Sequence, residues 1–250
     1  MARVSPRQRL ERAQKHLEDL AATYQEFDRQ HPYHVVDDLD ADTGDYLGRL
    51  RIDPGMPAEL SLIIGDFVHS TRAALDNMIW LLRDRSVSDP RILKRVAFKV
   101  ADTSLPDPEH DWQSFQGQAA AWISAGVLDE MYRFQPHVTH RDELTILEAL
   151  WNGDKHRAPH LAVSQVTLLL TTIEGGTSDD ITYEPGPFQE GDVLVRVRAQ
   201  AEKPQFGPRI ECHPCFDGIG PGRGEPIFAL LSRLRMYVAD EVLPTFETLA

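Results

Sequence analysis

At Pro159 the apolar pattern of the chain changes period, from the three-and-four spacing of helices to the alternation of strands. That single change excludes an all-helical and an all-β fold, and it predicts an α+β class with a mainly helical part (residues 1–158) followed by an antiparallel sheet and a closing helix (159–250). Before it, Ser5-Pro6-Arg7-Gln8 has the order of an N-cap, a proline at the first helical position and a capping-box glutamine. The helix so opened carries Leu10, Ala13, Leu17, Leu20, Ala21, Tyr24 and Phe27 on one stripe and ends near His31-Pro32. A turn-rich Asp37 to Asp45 stretch between Val35-Val36 and Tyr46 to Ile52 predicts a short hairpin. The longest helical pattern runs from Pro57 to Arg85, with Leu60, Ile64, Phe67, Thr71, Ala74, Leu75, Met78 and Leu82 on a broad apolar face. Helices are expected from Trp112 to about Tyr132, with a break near Gly126, and from Asp142 to about His156. Strands are expected over Leu161 to Ile173, Val193 to Arg198 and Ile210 to Phe216, and a last helix from Pro226 that Pro244 ends or kinks.

A length of 250 residues suits one core with an elaboration, so a single domain is expected. No stretch approaches the ~18 uninterrupted apolar residues of a membrane span, and the basic start runs into an amphipathic helix rather than a leader, so a cytoplasmic protein with no membrane partner is expected. The net charge of −13 is uneven: residues 1–100 hold 15 Lys and Arg against 16 Asp and Glu, and residues 101–250 hold 11 against 23. A polyanion is repelled by the second part, which disfavours RNA as a partner. The one basic stretch, Arg83, Arg85, Arg91, Lys94, Arg95 and Lys99, reads as a solvated face.

Two segments concentrate polar chemistry. In the central helix His69, Arg72 and Asp76 stand three and four apart, on one face that Trp80 continues; a solvated, salt-bridged stripe has the same spacing. At the end of the following helix, Glu148 to Arg157 contains Asn152, Gly153, Asp154, Lys155 and His156. This run gives up helix propensity for no apolar gain, although three cations in a last turn also suit the helix dipole. The pair Cys212 and Cys215 is half of a zinc site; zinc, a redox pair and ordinary reduced thiols all remain open, and no metal or cofactor is expected. The glycine-rich Gly218 to Glu225 lacks the ending of a phosphate-binding loop and reads as a flexible connection.

The two segments, His69-Ser70-Thr71-Arg72-Ala73-Ala74-Leu75-Asp76 and Asn152-Gly153-Asp154-Lys155-His156-Arg157, resemble the paired signatures of a widespread bacterial family without an established activity. The resemblance extends to Val96-Ala97-Phe98 and Phe134-Gln135-Pro136. More distantly, the helical part is similar to the HEPN superfamily of bundle proteins, many of which are metal-independent ribonucleases with an Arg, four to six residues, then a His. Here Asn77 follows Arg72 after four intervening residues, so the imidazole of such a site would have to come from His69 or His156. The resemblance implies a site of His69, Arg72, Asp76, Asn152, Asp154, Lys155 and His156 that cleaves RNA, with a histidine base and a cation for the phosphorane. The other reading is a non-enzymatic ligand-binding or interaction module, in which these residues form a structural polar network and the long helices make a homodimer surface.

Overall fold

The structure, a computed structural model, describes residues 4–154, 161–172, 180–198, 205–218 and 220–249. Helix α1 (Pro6–Asp28) begins as its sequence dictates: the Ser5 hydroxyl accepts from the Gln8 amide and the Gln8 side chain accepts from the Ser5 amide, which satisfies two end donors at once. Strands β1 (Tyr33–Leu39) and β2 (Tyr46–Ile52) form the hairpin, and α2 (Ala58–Leu82) packs along α1 through Leu60, Ile64, Phe67 and Leu75. A short α3 (Pro90–Leu93), then α4 (Pro108–Ala119), α5 (Ala125–Arg133), α6 (Pro136–Thr139) and α7 (Glu143–Asp154) complete the helical part. The expected break between α4 and α5 falls before Gly126, because Trp122 and Ile123 turn inward to become buried and the Trp122 carbonyl accepts from Asp84. Gly126 itself lies inside α5.

The sheets join the two ends of the sequence. Among the described residues the strands β1, β2, β5 (Val193–Val197) and β4 (Ile181–Tyr183) lie side by side in that order, all antiparallel, so the early hairpin belongs to the same sheet as the late strands. Strands β3 (Leu161–Thr172) and β6 (Gln205–Phe216) form a second antiparallel pair, and an isolated bridge joins Val163 of β3 to Phe188 in the connection between β4 and β5. Phe27, Tyr33, Leu50, Val163, Phe188, Leu194, Ile210 and Cys212 close a core between α1 and the sheets. Tyr24 packs on both this core and the larger helical one, and its hydroxyl donates to the Cys212 carbonyl at 3.1 Å. The class is α+β, with N-terminal helices and a C-terminal helix. Among the described residues no helix is long and apolar enough to cross a membrane.

The C-terminal helix does not end at Pro244. It runs as α8 (Ile227–Met236), widens into a π-helical stretch over Tyr237–Val242 and continues as α9 (Leu243–Glu247). A proline has no amide to donate and crowds the carbonyl one turn back; the widened ladder takes up that defect just before Pro244, so the helix passes through it. The glycine-rich stretch is also firmer than its composition suggests. Gly222 is buried in a 3-10 turn, where an added Cβ would lie 3.1 Å from Leu230 and 3.4 Å from Ile146, so this connection is packed against α7 and α8 rather than flexible.

Candidate functional site

The two polar segments meet where α2 and α7 cross. Arg72 points inward from α2 and is only 7% exposed, so the face that reads as a solvated stripe in sequence is a buried one at this residue. Its Nη2 donates to the Phe98 carbonyl at 2.5 Å. Its Nη1 lies 3.4 Å from Asp76 Oδ1 one turn further along α2, and its Nε lies 3.4 Å from Glu148 Oε2 on α7. At these last two separations the charges attract, but the donors are not aligned for hydrogen bonds: Arg72 Nε, Arg72 Nη1 and Glu148 Oε2 are buried atoms without a hydrogen-bond partner. Among the described residues, one guanidinium therefore sits between two carboxylates.

The remaining residues grade from this buried end outward. His69 is exposed on α2 and its ring leans on Trp151 of α7, with centroids 5.4 Å apart and planes at 36°. Asn152 is exposed and its amide approaches Glu148 Oε1 at 3.4 Å. Asp154 is the last residue of α7. Lys155 and His156, and Arg157 after them, lie outside the described residues. Of the seven residues singled out by sequence, His69, Arg72, Asp76 and Asn152 are thus brought to one crossing, and Glu148 and Trp151 are the α7 residues that connect them.

The crossing also organises a segment that belongs to no sheet. Residues 96–101 run as irregular chain through the helical core, with Phe98 fully buried and Val96, Val100 and Ala101 nearly so. A buried backbone must satisfy its polar groups, and here side chains act as the neighbouring strand. Asp76 Oδ1 accepts from the Phe98 amide at 3.0 Å while Arg72 donates to the carbonyl of the same residue. From the other side Gln135, itself wholly buried, donates through Nε2 to the Lys99 and Met131 carbonyls at 2.9 Å each and accepts from the Ala101 amide at 2.8 Å. The resemblance takes in Phe134-Gln135-Pro136 and Val96-Ala97-Phe98 but assigns Gln135 no role, because one glutamine has no periodic or compositional mark.

The other polar features resolve simply. Cys212 and Cys215 are free and buried, and their spacing of three along β6 puts them on opposite faces of the strand. Burial pushes the Cys212 thiol up to about 12, which leaves it protonated. Of the basic stretch, Lys99 is paired with Asp111 at 2.8 Å, Arg91 with Asp89 at 3.2 Å, and Arg83 lies over Trp80. His137 faces Glu109 at 3.2 Å, and His140 caps α6 in the left-handed region. Among the described residues no three His, Cys, Asp or Glu side chains gather as metal ligands. No protein-family model matches the chain, and comparison with curated proteins and with solved structures finds no match.

Proposed function

We propose that the chain is a non-enzymatic binding module whose α2 and α7 crossing is structural at its buried end and a recognition surface at its exposed end. The observation that carries this reading is the state of Arg72. Its guanidinium is 91% buried as a side chain (9% exposed), holds the Phe98 carbonyl and is faced by two carboxylates. A phosphate arriving at this centre would have to displace those partners, whereas His69, Asn152 and the part-exposed Glu148 offer an imidazole, an amide and a carboxylate to a donor-rich or cationic group. The same reading assigns the long helices to a homodimer surface, which sedimentation at several concentrations tests.

Metal-independent RNA cleavage is the second reading. One observation favours it: His69 is exposed one turn from Arg72, so an imidazole is within reach of a cation on one helix. A single experiment separates the two. Purified protein is incubated with RNA in the presence of a chelator, alongside Arg72→Ala and His69→Ala. The binding-module reading expects intact RNA throughout and a lowered melting temperature for Arg72→Ala; degradation that disappears in both variants, with melting unchanged, overturns it in favour of the nuclease.

A further inference from the structure

We infer that Gln135 is a positioning residue for Arg72, acting across residues 98–101 without touching it. The inference rests on the reading of Arg72 and Asp76 as the structural end of the site, and it extends the site to the corner between α5 and α6. The geometry is reciprocal. Asp76 and Arg72 hold both polar groups of Phe98, and Gln135 holds the Lys99 carbonyl and the Ala101 amide, the next groups along the same strand-like run. Three of the four residues from 98 to 101 are therefore laced by three side chains to α2 on one side and to the α5–α6 corner on the other, and their backbone can keep one setting only while both lacings hold.

The third bond from Gln135, to the Met131 carbonyl, fixes the amide to the last turn of α5, so the lacing has a rigid base. Phe98 supplies the connection to the core. It is fully buried and meets Phe246 edge-on at 6.0 Å, so a shift of its backbone is resisted by packing as well as by bonding. If the Lys99 and Ala101 bonds are lost, the Phe98 carbonyl is free to drift from Arg72 Nη2. That bond is the one well-aligned hydrogen bond made by a guanidinium whose Nε and Nη1 have none. Arg72 is then held between Asp76 and Glu148 by the two longer ion pairs alone.

Amide hydrogen exchange in the native state distinguishes this from ordinary destabilisation. The Phe98 amide is bonded to Asp76 and not to Gln135, so it reports on the far lacing. In Gln135→Leu, protection of the Phe98 amide is expected to fall at least tenfold while amides in the middle of α1 and α8 keep their wild-type protection. Gln135→Glu preserves the shape and the acceptor for Ala101 but sets a carboxyl oxygen against the Lys99 and Met131 carbonyls, where only its protonated form supplies a donor; it is expected to loosen Phe98 too, and less in acid than at neutral pH, so the measurement survives a misfolded leucine variant. Uniform loss over Phe98, α1 and α8, or an unchanged Phe98, overturns the positioning role. Asp76→Ala provides the separate check: if it too leaves Phe98 protected, the structural reading of Asp76 fails, whereas loss of protection there with none in the Gln135 variants sinks only the role of Gln135.

Discussion

Two arginine clusters sit along α7, one at its start and one at its middle, and solve the burial of charge differently. At its start, Glu143 is 6% exposed and grips Arg141 through two bonds of 3.1 and 3.3 Å, with Arg233 of α8 at 3.5 Å. Arg233 is held in turn by both oxygens of Glu225 at 2.8 Å, and Arg141 by Glu241 at 2.5 Å while it lies over the Tyr237 ring. There the buried group is a carboxylate, its hydrogen bonds are made, and the guanidiniums keep about two-fifths of their surface in solvent. At the middle of α7 the buried group is the cation, its carboxylates are about one-third exposed, and two of its nitrogens lack hydrogen bonds. The first cluster is a finished structural joint between α7 and the C-terminal helix. The second is a partly satisfied one, which is the state expected where part of the arrangement serves recognition rather than stability.

Truncating each buried group measures that contrast most directly. Arg72→Ala leaves the Phe98 carbonyl without its donor and two neighbouring carboxylates without their cation. The expected cost is about 3 kcal/mol, at the lower end for breaking a buried pair because the carboxylates are part-exposed. For a chain of this length that corresponds to a fall in melting temperature of roughly 6–12 °C, read by calorimetry. A loss below about 1 kcal/mol would mean that the buried end is not structural. The lysine substitutions come next in size. One ammonium cannot serve the Phe98 carbonyl, Asp76 and Glu148 together, so Arg72→Lys is expected to lose about 2 kcal/mol, whereas Arg233→Lys, on a side chain that is 39% exposed, should lose less than about 1 kcal/mol. Equal losses from the two would erase the distinction between the clusters.

How much of this was legible in the sequence follows from what leaves a periodic trace. Stripes do: Leu10 to Phe27 and Leu60 to Leu82 predict α1 and α2, and the alternation after Pro159 predicts β3. Local capping chemistry does as well, since Ser5 and Gln8 are three apart and act on each other. Pairing across 140 residues does not, which is why the hairpin β1–β2 could be foreseen but not its place beside β5. The site shows the same split. The spacing of His69, Arg72 and Asp76 put them on one face, but a helical wheel cannot say whether a guanidinium looks into water or into the core; that is decided by Phe98 and Glu148, which come from two other parts of the chain. Gln135 lay in a segment that the resemblance takes in, but its role could not be read because its partners are backbone groups, which leave no mark in the sequence.

Acid provides a third way to separate the clusters. Burial pushes the Glu143 carboxyl up, but the bonds from Arg141 and the charges of Arg141 and Arg233 outweigh it and hold the group below its ordinary value of 4.5. A carboxyl depressed in the folded state contributes stability that is present above 4.5 and is lost as the pH falls through its lower folded value. The melting temperature of the native chain should therefore exceed that of Glu143→Gln by a few degrees near pH 7, about 1–2 kcal/mol, and the gap should close as the pH is lowered below about 4.5. A gap that persists unchanged in acid would show that Glu143 acts through packing rather than through its charge.

The smallest expected effect tests the outer end of the α2 and α7 crossing. His69 is exposed and touches Trp151 through ring faces alone, with no hydrogen bond to hold it there, so removing its imidazole takes away little buried surface and leaves no polar group stranded. His69→Ala should change stability by less than about 0.5 kcal/mol, the range of surface substitutions. The same change made one turn deeper, at Arg72, is expected to cost several times more. That ratio along a single helix face is the content of a site with a structural floor and a free rim: a ligand that meets the rim can lose affinity on His69→Ala with the fold intact. A loss of stability at His69 comparable to that at Arg72 would make the whole face one structural unit, and it would leave no exposed surface of the crossing to do the binding.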